Sequence, residues 1–146
     1  GVWLLAEQKL SAETADPTRG LTVFGEYMRT DQATSPLRHW RVAGLYYQGI
    51  GTRSQDRLAL GYASAKVNGA LRAAQRVELA DTGVPSDSPL YQLTDAERLY
   101  ELAYTAQLRP WLTLRPDLQY IVDPGTFSYR RAGDALAVGL QVRATF

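Results

Sequence analysis

Ala135-Leu136-Ala137-Val138-Gly139-Leu140-Gln141-Val142-Arg143-Ala144-Thr145-Phe146 alternates without a break. One parity carries Leu136, Val138, Leu140, Val142, Ala144 and Phe146, all apolar; the other carries Ala135, Ala137, Gly139, Gln141, Arg143 and Thr145. A period of two places these sets on opposite faces of a strand. Strands of soluble proteins usually stop at about five or six residues, and this run is about twice as long. A tilted membrane-spanning strand needs about nine to eleven residues, apolar toward lipid and small or polar toward the lumen. Both conditions hold here.

The same pattern repeats upstream. Tyr100, Leu102, Tyr104, Ala106 and Leu108 oppose Glu101, Ala103, Thr105, Gln107 and Arg109. After Pro110-Trp111, a link short enough for a tight hairpin, Leu112, Leu114, Pro116, Leu118, Tyr120 and Val122 oppose Thr113, Arg115, Asp117, Gln119 and Ile121. Pro116 lacks a backbone donor, so a bulge or irregular register is expected near it. The next link, Asp123 to Gly133, is longer and polar, in keeping with the alternation of short and long loops in outer-membrane barrels. Further strands are expected at Val2 to Lys9, Leu21 to Arg29, His39 to Gln48 and Leu58 to Val67. In the first of these Val2, Leu4 and Ala6 are set outward, with Glu7 and Lys9 inward; in His39 to Gln48 either face suits lipid. The longest link, Asn68 to Asp95, contains good helix formers from Leu71 to Leu79, with Asp81, Gly83 and Pro85 to end a short helix. A loop of this length in a barrel would lie outside or fold into the mouth.

Composition agrees with an all-β reading. Nine Tyr, three Trp and twelve Gly against three Phe and one Met favour strands and turns over helical bundles. The absence of cysteine removes disulfides and thiolate metal sites from consideration. Basic residues are almost all Arg, interspersed with carboxylates to a net charge of +1, without the block that nucleic acid requires. Gly1 to Leu5 has none of the parts of a signal peptide. No apolar run is long enough for a transmembrane helix, and a mean hydropathy of -0.26 is no objection to a membrane crossed by alternation.

About seven strands result, the last descending to the periplasm. Bacterial single-chain barrels have even strand numbers with both termini periplasmic, and an open sheet would leave edges and apolar side chains uncovered. The expectation is therefore an antiparallel transmembrane β-barrel of which residues 1–146 form the C-terminal portion of a single domain, with N-terminal strands outside this sequence.

Glu101-Leu102-Ala103-Tyr104, Arg109-Pro110-Trp111-Leu112-Thr113-Leu114, Pro116-Asp117-Leu118-Gln119-Tyr120-Ile121 and Asp123-Pro124-Gly125, followed by Asp134-Ala135-Leu136 and Phe146, resemble the end of the OprB carbohydrate-selective porins. Leu5-Ala6-Glu7-Gln8-Lys9-Leu10 and Arg19-Gly20-Leu21-Thr22-Val23-Phe24 resemble that family too, whereas Asn68 to Asp95 has no stated counterpart. The resemblance implies a barrel of roughly sixteen strands and passive uptake of sugars, glucose among them, across the bacterial outer membrane. It also implies that a terminal Phe146 is read by the barrel assembly machinery, although the family pattern often has a larger apolar residue where Ala144 stands. Outer-membrane lipid and lipopolysaccharide would surround such a barrel, and association with further copies is left open.

Inward positions then offer Glu101, Arg115, Asp117, Gln119, Gln141 and Arg143 as the pore-lining set. Sugar hydroxyls donate and accept; Arg gives fixed donors, carboxylates acceptors and amides both. Mixed signs disfavour ion selection, though any wet lumen is lined with polar groups. The remaining candidates point elsewhere. His39, the only histidine, has no serine motif to serve and reads as a strand-end residue near the outer rim. Trp3, Trp40 and Trp111 suit either sugar stacking or an interface belt, with Trp111, beside a turn, on the belt side. Asp123 and Asp134 lack the further oxygen ligands that Ca²⁺ needs, so neither metal nor cofactor is expected. A porin for another solute, an adhesin and a small barrel enzyme are the alternatives, which fold alone does not separate.

Overall fold

The computed structural model describes residues 1–85, 87–88, 93–129 and 132–146. Parts of the Asn68-to-Asp95 and Asp123-to-Gly133 links fall outside the described residues. Among the described residues there are seven strands, β1 (Val2–Lys9), β2 (Gly20–Arg29), β3 (Leu37–Ile50), β4 (Arg53–Val67), β5 (Ala96–Arg109), β6 (Leu112–Val122) and β7 (Ala135–Ala144), with one helix, α1 (Gly69–Asp81), between β4 and β5. They form a single sheet in the order β1-β2-β3-β4-β5-β6-β7, each strand antiparallel to its sequence neighbour.

The expected strands are all found, and several are longer. β3 and β4 run 14 and 15 residues because Gly49 to Arg57, read as a link, is largely strand; only Gly51 and Thr52 lie between them. Gly51, at φ 56°, makes so tight a reversal possible. β5 begins at Ala96 rather than Tyr100. β7 ends at Ala144, but the Thr145 amide still donates to the Trp111 carbonyl at 2.9 Å.

Pro116 does not produce the bulge expected of it. It pairs with Leu140 in an unshifted β6–β7 register, and toward β5 the pairing lapses opposite Tyr104 and Thr105 and resumes at Ala106↔Leu114 in the same register. The missing donor costs a local stretch of ladder without adding a residue to either strand. The register shift of this pair lies at Gln107/Arg109, beside the Pro110-Trp111 turn.

The links divide the sheet into a turn end and a loop end. The β3–β4 and β5–β6 turns are short, while α1 and the links after β2, β4 and β6 sit at the opposite end. Asn68 caps α1, its side-chain oxygen accepting from the Ala70 amide at 2.9 Å, and its amide group donates to the carbonyls of Gln32 and Ser35 at 2.6 and 2.8 Å. Arg72 on α1 is buried and donates to Gln75 at 2.6 Å and to the carbonyls of Thr94 and Thr126. Burial pulls its guanidinium pKa below the ordinary value, against the opposing pull of Asp95. Asn68 and Arg72 together tie the three loop-end links to one another.

Candidate functional site

The pairing register assigns every strand residue to a face. Leu136, Val138, Leu140 and Val142 of β7 share a face with Leu118 and Tyr120 of β6, Tyr100 and Leu102 of β5 and Leu58 and Leu60 of β4, and all are exposed. Leu45 and Tyr47 of β3 join them, so the face of β3 left open by the sequence is the one with odd numbers. On β1, Val2, Leu4 and Ala6 lie on this apolar face and Glu7 and Lys9 on the other.

Glu101, Arg115, Asp117, Gln119, Gln141 and Arg143 all lie on the opposite, polar face. Four of them form one network. The Arg115 guanidinium donates to Glu101, with which it forms an ion pair, and the Gln119 amide donates to Asp117 at 2.9 Å and to the second Glu101 oxygen at 3.3 Å. Asp117 faces Gly139 across the β6–β7 ladder; a β-carbon there would overlap its carboxylate. Gly139 therefore clears the space in which the carboxylate sits. Gln141 pairs with Arg115 and Arg143 with Thr113, and these four line a cavity of 360 Å³ with Arg57 and Gln107.

Sequence reading missed a second cluster on the same face. Arg57 lies over the Tyr46 ring, 4.2 Å from its centroid, and its Nε donates to Gln48 at 3.0 Å. The Tyr46 hydroxyl in turn donates to Glu7 at 3.3 Å. Gln48, Gln55 and Arg57 form a common wall between the first cavity and a second one, of 370 Å³, lined also by Glu7, Lys9 and Tyr46. The signal that could have found it was the parity of β3: once Leu45 and Tyr47 are placed on the apolar face, Tyr46 and Gln48 must turn to the polar one.

The arrangement holds charged groups of both signs and amides in internal hydrogen bonds along a water-accessible face. It offers fixed donors and acceptors, the chemistry that suits a polyhydroxylated solute, with no unbalanced field of one sign. Trp3 and Trp40 lie on this polar face toward the loop end, each opposite Met28 of β2, while the remaining candidates lie away from the network. His39, near the loop end, bonds through Nδ1 to the Tyr27 hydroxyl at 3.0 Å on the apolar face, and Trp111 is exposed at the turn end. The Asp134 carboxylate accepts from the Tyr120 hydroxyl at 2.8 Å and the Asp123 amide at 3.1 Å, which bridges the ends of the β6–β7 link through hydrogen bonds.

A family model described as "Carbohydrate-selective porin, OprB family" matches residues 1–146. Porin B of Pseudomonas aeruginosa is 34% identical over 149 residues, an alignment that takes in 100% of this chain and 32% of that protein. The solved structure of Pseudomonas putida OprB at high pH superposes with a TM-score of 0.87 at 31% identity, over 99% of this chain and 34% of the other. The chain thus spans about a third of the length of the relatives it matches.

Proposed function

This chain belongs to the OprB family of carbohydrate-selective porins, and on that premise we propose that it forms the C-terminal portion of a single outer-membrane barrel through which small neutral sugars, monosaccharides such as glucose, diffuse into the periplasm. The observation that carries the reading is the Glu101–Arg115–Gln119–Asp117 network on the face opposite the exposed apolar one. On this reading the apolar face meets outer-membrane lipid and lipopolysaccharide, the turn end is periplasmic, and the polar face lines the sugar path with Gln141 and Arg143 as further contacts. Tyr46 and Arg57 extend that path onto β3 and β4.

The test is sugar block of ion current through the full-length barrel in planar bilayers. Replacing Arg115, Asp117 and Gln119 together by Ala removes donors and acceptors while leaving the pore open. At about 1 kcal/mol per hydrogen bond in a wet site, the expected loss of sugar affinity is about one to two orders of magnitude, with open-channel conductance retained. Unaltered sugar block in the triple variant would remove this strand from the substrate path.

A further inference from the structure

The apolar face is not apolar over its whole height. At the loop end Arg29, His39 and Lys66 are cross-strand neighbours on β2, β3 and β4. One step toward the middle of the sheet come Tyr27, Arg41, Ser64 and Arg98, side by side on β2 to β5. The next step is aromatic, with Tyr62, Tyr100 and Tyr120, and the one after it aliphatic, with Leu45, Leu60, Leu102 and Leu118. Cations, hydroxylated rings and hydrocarbon thus succeed one another down a single face, the sequence of a lipid boundary from head group to chain.

The cationic rows enclose a cleft. His39, Arg41, Tyr62, Ser64, Lys66 and Arg98 line a cavity of 310 Å³, and Tyr62 also lines the groove of 540 Å³ formed by the aromatic and aliphatic rows below. The two hollows therefore adjoin. The Arg41 guanidinium lies 5.9 Å from the centre of the Tyr27 ring, whose hydroxyl is bonded to His39. Arg98 has a carboxylate partner in Asp123 at 3.7 Å, and Asp95, at the cavity edge, reaches Arg72 at 4.0 Å. Arg29, Arg41 and Lys66 form no ion pair with a carboxylate among the described residues.

Cations gathered at the margin of hydrocarbon need an anion close by, because the medium stabilises them poorly. We infer that this cleft binds the phosphate of a phosphorylated acyl lipid, with the acyl chains of the same molecule running down the adjoining groove. Guanidinium groups grip phosphate through paired N–H donors, an ammonium adds a point charge, and the Ser64 hydroxyl adds a further donor. Free phosphate would leave the apolar groove unused. A soluble acidic protein would have to bury its polar surface against leucine. A lipid with an anionic head satisfies both hollows at once, and no part of the site touches the sugar path on the other face.

The inference rests on the proposed membrane-facing role of the apolar face, and its test keeps the two apart. The purified full-length barrel is titrated in neutral detergent with a diphosphorylated acylated disaccharide of the lipopolysaccharide type, with its dephosphorylated form and with inorganic phosphate; bound lipid is read by native mass spectrometry, and sugar block is measured on the same preparation. The phosphorylated lipid is expected to bind about tenfold or more tighter than the dephosphorylated one. The Arg29→Ser/Arg41→Ser/Lys66→Ser variant should abolish that preference with sugar block unchanged, and the charge-conserving Arg41→Lys/Lys66→Arg variant should keep most of it. Equal binding of the two lipids by the unaltered protein overturns the inference, as does inorganic phosphate binding as tightly as the lipid, or a triple variant that retains the preference. Loss of sugar block in the unaltered protein would fall on the porin reading instead.

Discussion

Toward the loop end of β6 the leucine and tyrosine of one face are more open than the arginine, aspartate and glutamine of the other. Leu118 and Tyr120 are exposed, while Arg115, Asp117 and Gln119 are half-buried among their neighbours. A water-soluble sheet would reverse this order, since burial of apolar area is what stabilises it. Here the polar face is the shielded one, as on the inner wall of a curved sheet, and it is knit together by hydrogen bonds. Among the described residues, nothing forms a covering layer over the apolar face. On the proposed reading the difference teaches which solvent each face is built for: the packing that a soluble protein makes internally is left for hydrocarbon to supply.

The contrast between faces is open to direct attack. The largest effect is expected at Phe146, which continues the apolar parity of β7 and is fully exposed beyond the strand end. If it is both an interface residue and the assembly signal, deleting it should remove most of the heat-modifiable full-length barrel from outer membranes, and an unchanged yield counts against both roles. Next comes a pair of neighbours. Leu140→Arg puts a charge on the apolar face and should destabilise the barrel by about 2 to 4 kcal/mol if the site lies near the bilayer midplane, whereas Gln141→Arg on the polar face should fold normally. Equal unfolding free energies for the two would erase the distinction between the faces. The smallest effect sharpens the polar side alone. Gly139→Val fills the space held by the Asp117 carboxylate, which must rotate and give up its bond to Gln119. Loss of about 1 kcal/mol of positioning should weaken sugar block severalfold with little change in barrel stability, and a variant with native sugar block would show that Asp117 has no part in it.

Much of this was legible in the sequence, and the exceptions have physical reasons. β1 and β6 match their expected limits residue for residue; β6 alternates as far as Tyr120, with a proline that a paired strand can absorb. The common face of Glu101, Arg115, Asp117 and Gln119 was legible too, since it follows from the parity of two adjacent strands, whereas the bonds among them depend on register. The start of β4 was not, because Asp56 is an acid on the apolar face. It is hidden there by Arg53, by the Tyr104 hydroxyl and by the Gln107 backbone N–H at 3.0 Å, partners that lie 3 to 51 residues away and leave no local pattern. The cationic rows escaped notice for a similar reason: Arg29, Arg41, Lys66 and Arg98 are scattered along the chain and meet only through registers that the sequence does not specify. Helix α1 was expected at Leu71 to Leu79 and extends a little at both ends, where the Asn68 cap and Gly83, at φ 69°, set its limits.

Every ladder in the sheet joins strands adjacent in sequence. That makes each pairing a hairpin, closed across a turn or a single link, with none waiting for a distant segment to arrive. Low contact order of this kind favours rapid formation, because little loop entropy is lost before the first backbone bonds are made. The seven strands can therefore zip up one after another in either direction, and a delay at one hairpin need not stall those already formed. The slow step is left to whatever must meet the outer edges of β1 and β7, where unpaired backbone groups offer the sheet its next partner.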